Sequence, residues 1–141
     1  MPKNPLHLIM RLALAFIWIW TGVVVLFLAP IEDSLALMIP LGLPENIALT
    51  LIWIVAILEL GLGAALVANW RVRQIALVQI ALIATFTIII TLFMPEQWLH
   101  PFGPVSKNIP LLAATYVLYS WEGKKGEQRQ QLFSFYDDMD G

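Results

Sequence analysis

The feature that most constrains this chain is the recurrence of apolar runs about 20 residues long, the length an α-helix needs to cross the hydrocarbon core of a bilayer. Leu6 to Ala29, Ile47 to Ala68 and Gln74 to Met94 meet that length. A fourth run, Ile109 to Trp121, is shorter. Taking Lys107 and Asn108 as its first residues, with the long basic side chain snorkelling outward, makes it nearly long enough. Tyr116, Tyr119 and Trp121 suit an interfacial end. The expected fold class is therefore all-α, an integral membrane four-helix bundle. Its spans fall at about 6–29, 47–68, 74–94 and 107–121 within one domain, 1–121, followed by a polar tail, 122–141.

Composition agrees, with 60% hydrophobic and 13% charged residues, where soluble domains carry about a quarter charged. So much of the chain lies in lipid that no separate soluble catalytic domain fits beside the bundle. The absence of cysteine excludes thiol catalysis, disulfides and thiolate-held metal or iron–sulfur centres. Nothing in the charge pattern suits nucleic acid. The run Leu12 to Ala29 exceeds the roughly 7–15 apolar residues of a signal peptide and reads as a retained span.

Basic residues set the orientation. Lys3 and Arg11 flank the first span, Arg71 and Arg73 separate the second from the third, and Lys124, Lys125 and Arg129 follow the fourth. The loop Pro30 to Asn46 has no Lys or Arg, and the loop Pro95 to Ser106 has none until Lys107. This alternation predicts both termini in the cytoplasm and the chain in a bacterial inner membrane. Pro30, Pro40, Gly42 and Pro44 around Leu35 to Ile39 predict a short interfacial helix bounded by breakers, acting as an outer lid. The tail, ending in Asp137, Asp138 and Asp140, is expected to be helical near the membrane and disordered beyond.

An ionisable side chain inside a span costs about 2.5–3.5 kcal/mol on insertion scales, so each needs a partner or a purpose. Counting about 1.5 Å per residue from the cytoplasmic ends puts Arg11 roughly 8 Å deep and Glu59 roughly 14 Å. That difference is within reach of an arginine, and the two are predicted to pair. Gln79, Thr115 and Tyr119 fall in the same inner half and complete a candidate ligand or proton site, Arg11, Glu59, Gln79, Thr115 and Tyr119. The plainer reading is a buried ion pair that fixes helix register. A Glu59 without a partner would be a proton-carrier candidate. Gly22, Gly61, Gly63, Ala64 and Ala65 fit close helix packing, with space for a ligand as the alternative.

The six tryptophans fit an aromatic belt better than a quinone-stacking box. On the outer face, the rigid segment Pro95 to Pro110 brings His100, Lys107 and Asn108 together as a candidate anion or headgroup site. His7 and His100 fall on opposite sides of the membrane and share no metal; no metal site is expected. No nucleophile, base and orienting group stand at recognisable spacing.

Several short motifs carry a resemblance. Trp18-Ile-Trp-Thr-Gly22, Glu59-Leu-Gly-Leu-Gly63, Pro95-Glu96, His100-Pro-Phe-Gly-Pro104 and Lys107-Asn-Ile-Pro110 resemble, in order and spacing, the DoxX-like family of small four-span bacterial membrane proteins. The likeness runs from about Arg11 to Trp121, and it points to the branch associated with NAD(P)-binding short-chain dehydrogenase or epimerase domains. It implies an accessory or anchoring subunit of a membrane oxidoreductase, with a dehydrogenase, an epimerase or a respiratory protein as partner. Quinone or lipid is the implied ligand, with no cofactor bound covalently and no catalysis by this chain alone. The chain has no Gly-x-Gly-x-x-Gly after a strand and does not bind a dinucleotide in that way. The alternative is a small-solute or proton transporter using Arg11, Glu59 and Gln79. Membrane lipid surrounds the chain in either case, and small-residue faces permit oligomers.

Overall fold

A computed structural model describes residues 4–100 and 105–140. The described residues form five helices and no strand. Helix α1, Pro5–Val23, starts where the Asn4 side chain accepts a hydrogen bond from the Leu6 amide at 3.0 Å, with proline in the first turn, a placement that costs the helix no donor. It continues as a π-helical turn, Val24–Leu28, and stops at Pro30. Helix α2, Ile31–Met38, is short, passes into a 3₁₀ turn, Ile39–Leu41, and ends at Gly42. The φ of 68° at Gly42 is one that glycine adopts without strain. These are the breakers expected to bound a short helix, which begins four residues earlier than the sequence suggested.

Helices α3, Glu45–Val67, and α4, Val72–Phe93, follow, joined by a tight turn in which Asn69 and Arg71 both have positive φ. After a 3₁₀ turn, Pro95–Leu99, the chain enters α5, Asn108–Asp140. Three helices are long and apolar enough to cross a membrane among the described residues: Pro5–Leu28 with its π turn, Glu45–Val67 and Val72–Phe93, of 24, 23 and 22 residues. At about 1.5 Å per residue each exceeds the roughly 30 Å hydrocarbon core. The first part of α5 packs alongside them.

The tail departs from expectation. It is not disordered beyond the membrane border but continues α5 without a break to Asp140. No proline interrupts it after Pro110, and Glu, Gln, Lys and Arg between residues 122 and 131 are good helix formers. Lys125 also reaches Glu122 one turn back at 3.3 Å.

Two seams hold the bundle. Helices α1 and α3 run antiparallel and close together: a Cβ on Gly63 would meet Ile19 Cγ1 at 2.5 Å and the Ala15 carbonyl at 3.0 Å. A Cβ on Gly22 would meet Leu60 Cγ at 2.8 Å and the Ala56 carbonyl at 2.9 Å. Gly61 faces open space, so of the two span-two glycines only Gly63 is a packing glycine. Helices α4 and α5 are also antiparallel and are tied by side chains, Asn108 to Thr87 at 3.0 Å and Arg73 to Tyr119 at 3.4 Å. Leu14, Ala15, Leu66, Val72 and Leu118 form one buried cluster, and Trp18, Leu62 and Ile83 another. The end carrying the start of α1 and the α3–α4 turn is called the base; the end carrying α2 is called the cap.

Candidate functional site

A cleft of about 600 Å³ opens among all four long helices in the cap half of the bundle. Its apolar walls include Trp18, Ile83, Phe86 and Leu111, and its polar residues are Thr21, Glu59, Lys107 and Asn108. A second cavity, of about 170 Å³, lies under α2 against Ser34, Leu37 and Met38. Glu59 and Phe86 line both. The short cap helix thus supplies the roof of the smaller cavity, as a lid would.

Asn108 is held by a hydrogen-bonded file on α4. Threonine hydroxyls in lipid satisfy themselves on the carbonyl one turn back, as Thr87 does on Ile83 at 2.6 Å and Thr91 on Thr87 at 2.6 Å. Asn108 Nδ2 donates to Thr87 Oγ1, and Trp98 Nε1 donates to Thr91 Oγ1, both at 3.0 Å. Asn108 is therefore oriented by its amide nitrogen and keeps its carbonyl oxygen for another partner. Glu59 makes no hydrogen bond or ion pair among the described residues, although Lys107 faces the same cleft. Trp18 is only 5% exposed, yet its indole N–H has no acceptor among the described residues. A buried donor left unmade costs about 1–3 kcal/mol, so this wall holds an unfilled bonding position.

The predicted pair of Arg11 and Glu59 does not form. The glycine contacts of the α1–α3 seam set Ala15 and Ile19 against Gly63, and Gly22 against Ala56 and Leu60. Glu59 is then level with about residue 20 of α1, while Arg11 lies near the end of α3, about 14 Å toward the base at 1.5 Å per residue. Counting depth from the span ends missed this because backbone contact, not span length, sets the register.

The five residues of the predicted inner site are thus divided. Glu59 belongs to the cap cleft. Arg11, Gln79 and Thr115 are buried nearer the base; Thr115 donates to the Leu111 carbonyl at 2.8 Å, while Arg11 Nε and Nη1 and both polar atoms of the Gln79 amide have no partner among the described residues. Tyr119 takes a hydrogen bond from Arg73, whose guanidinium also lies 5.0 Å over its ring. Of the predicted outer site, Lys107 and Asn108 line the cleft and His100 does not. Residues 101–104, including the rest of the His100 motif, and Lys3 lie outside the described residues.

One contact was not anticipated. His7 on α1 and Glu122 on α5 form an ion-pairing contact at the base, with His7 edge-on to Trp121 at 5.7 Å. Both residues border their spans at the same end, a coincidence of depth that the sequence does contain. Among the described residues no group of three or more His, Asp or Glu side chains is placed to hold a metal ion.

The family model described as DoxX-like family matches residues 15–116. That range contains Trp18, Glu59, Lys107 and Asn108 and leaves out Arg11 and the α5 tail. No curated protein and no solved structure matches the chain.

Proposed function

The chain belongs to the DoxX-like family, a family of membrane proteins, and from that premise and the cap cleft we propose that it is a membrane-embedded accessory subunit holding a lipid-soluble amphiphile, a quinone or a lipid, for an oxidoreductase partner. The observation that carries this reading is the makeup of the cleft. An acid, a base, an amide carbonyl and an indole N–H without an acceptor converge between aromatic and aliphatic walls. Ligand sites of this kind pair an apolar lining with a few placed polar groups. A quinone carbonyl or lipid ester accepts from Trp18 and Lys107; a hydroxyl donates to Glu59 or to the Asn108 carbonyl; the apolar chain leaves along Ile83 and Leu111.

The partner follows from what the chain lacks and what its tail offers. It has no cysteine and no Gly-x-Gly-x-x-Gly motif, which fits a role beside another protein that supplies electrons, such as an NAD(P)-dependent dehydrogenase or a respiratory subunit. Leu132, Phe133, Phe135, Tyr136 and Met139 are exposed on the polar end of α5, which supports a docking role for the tail. Arg71, Arg73, Lys125 and Arg129 cluster at the base, which supports a cytoplasmic placement of that end in a bacterial inner membrane, with α5 as the fourth crossing. The test is to purify the full chain in mild detergent and analyse its organic extract. Quinone or lipid should be retained near one per chain by the native protein and about tenfold less by Glu59→Gln and Lys107→Gln. Retention unchanged in both variants would exclude the cleft as the site.

A transport reading has one observation in its favour: Glu59 forms a wall of two cavities at once, as a residue does that carries a proton or solute between compartments. In proteoliposomes, pH-linked uptake that is present in the native chain and absent in Glu59→Gln would select it. Flux equal to that of empty vesicles would remove it.

A further inference from the structure

The base of the bundle carries a second cleft, of about 620 Å³, between the α3–α4 turn and the start of the α5 tail. Arg71 comes from the turn, Arg73 from the start of α4, and Lys125 and Arg129 from α5. Glu122, Lys125, Gly126 and Arg129 are spaced three, four and seven residues apart, one face of a helix, and that face meets the beginning of α4. Lys124 lies on another face and does not line the cleft.

The charges in this cleft do not balance. Its one carboxylate, Glu122, is engaged with His7 and with Lys125 at 3.3 Å. Among the described residues no carboxylate pairs with Arg71, Arg73 or Arg129. Three guanidinium groups therefore share one opening without a counter-charge, an arrangement that repels itself unless an anion enters.

The surrounding structure keeps the guanidinium groups in place. Arg73 lies over the Tyr119 ring, donates to its hydroxyl at 3.4 Å, and rests against Gly123, where a Cβ would meet its guanidinium carbon at 3.5 Å. Arg71 lies 5.2 Å from the Trp70 ring centre. The start of α4 adds to the field. Arg71 is its N-cap residue, in the left-handed region, and supplies no side-chain cap. Val72, Arg73 and Gln74, residues that also line the cleft, precede the first intrahelical bond, from Ile75 to Arg71 at 3.0 Å. Orphan amides at a helix start favour an anion.

We propose that this base cleft is a phosphate-binding site, and that the phosphate it takes is the headgroup of an anionic phospholipid. Guanidinium groups match phosphate oxygens in planar, two-point fashion. The lipid source is favoured because Trp70 and Tyr119 flank the cleft, the residue types that sit at headgroup level, and the apolar outer faces of α3 and α4 begin one turn away. Basic pockets between membrane helices take anionic headgroups in this way.

The full chain is reconstituted in phosphatidylcholine nanodiscs with and without phosphatidylglycerol, and retained lipid is counted by native mass spectrometry. Phosphatidylglycerol should be enriched on the native chain, lowered at least tenfold in the double variant Arg71→Gln with Arg129→Gln, and unchanged in Lys124→Gln. Circular dichroism checks that each variant keeps its helices. If Lys124→Gln loses as much lipid as the double variant, or if the native chain shows no preference for phosphatidylglycerol and no response to inorganic phosphate, the site does not exist. If inorganic phosphate alone raises the melting temperature of the native chain, and not of the double variant, while phosphatidylglycerol is not enriched, the phosphate chemistry stands and its source is soluble.

Discussion

The two ends of the bundle carry clefts of similar size, about 600 Å³ at the cap and 620 Å³ at the base, but they are built on different terms. The cap cleft takes walls from α1, α3, α4 and α5 and mixes one acid and one base with an apolar lining. The base cleft draws on the α3–α4 turn, the first residues of α4 and one face of α5, and presents cations in excess. The cap cleft depends on how closely α1 approaches α3, whereas the base cleft depends on the packing of α4 against α5, which the α1–α3 seam does not set. The first suits an amphiphile within the bilayer, the second an anion at its edge.

This contrast is most severely tested at Gly63. A leucine there has no room, since even a Cβ would meet Ile19 Cγ1 at 2.5 Å, and overpacking of that kind costs about 1–3 kcal/mol or more. Gly63→Leu should lower the melting temperature in detergent and abolish retention of the cap ligand while phosphatidylglycerol enrichment persists. Gly61→Leu, which faces open space, should leave both unchanged. Equal behaviour of the two variants would mean that the α1–α3 seam does not shape the cap cleft.

A smaller effect is expected at Thr87, the group that orients Asn108. Hydrogen bonds between membrane helices are worth roughly 0.6 kcal/mol on average. Thr87→Val should therefore cost about that much stability in reversible unfolding, and it should weaken cap-ligand retention by a few-fold through the loss of Asn108 orientation. The smallest effect belongs to Tyr119→Phe, which removes the 3.4 Å hydrogen bond from Arg73 but keeps the ring beneath its guanidinium. Lipid retention at the base should change less than twofold. A larger loss would show that the hydroxyl, and not the ring, positions Arg73.

The helices were legible because lipid imposes a length and an apolar composition that few other arrangements produce. The breakers around Pro30 and Gly42 were legible for a similar reason, since they act locally. That Lys107 and Asn108 lie together was legible because they are neighbours in the chain at the start of the fourth apolar run. What could not be read was that Glu59 joins them. Its depth was counted from the ends of the span, whereas its neighbours depend on how far α1 slides along α3. The extended tail helix was not legible from polarity, because a polar segment forms a helix or stays disordered according to its helix formers, and residues 122–131 carry favourable ones.

By itself, the sequence determined the helical class of the chain, its lipid surroundings and the positions of its turns, since each follows from properties of neighbouring residues. Only the tertiary structure decided which polar groups meet. Gly22 and Gly63 permit the backbones of α1 and α3 to touch, and contact between two backbones fixes a register that no one-dimensional count contains. That register separates Arg11 from Glu59 and leaves the acid facing Lys107 across a cleft.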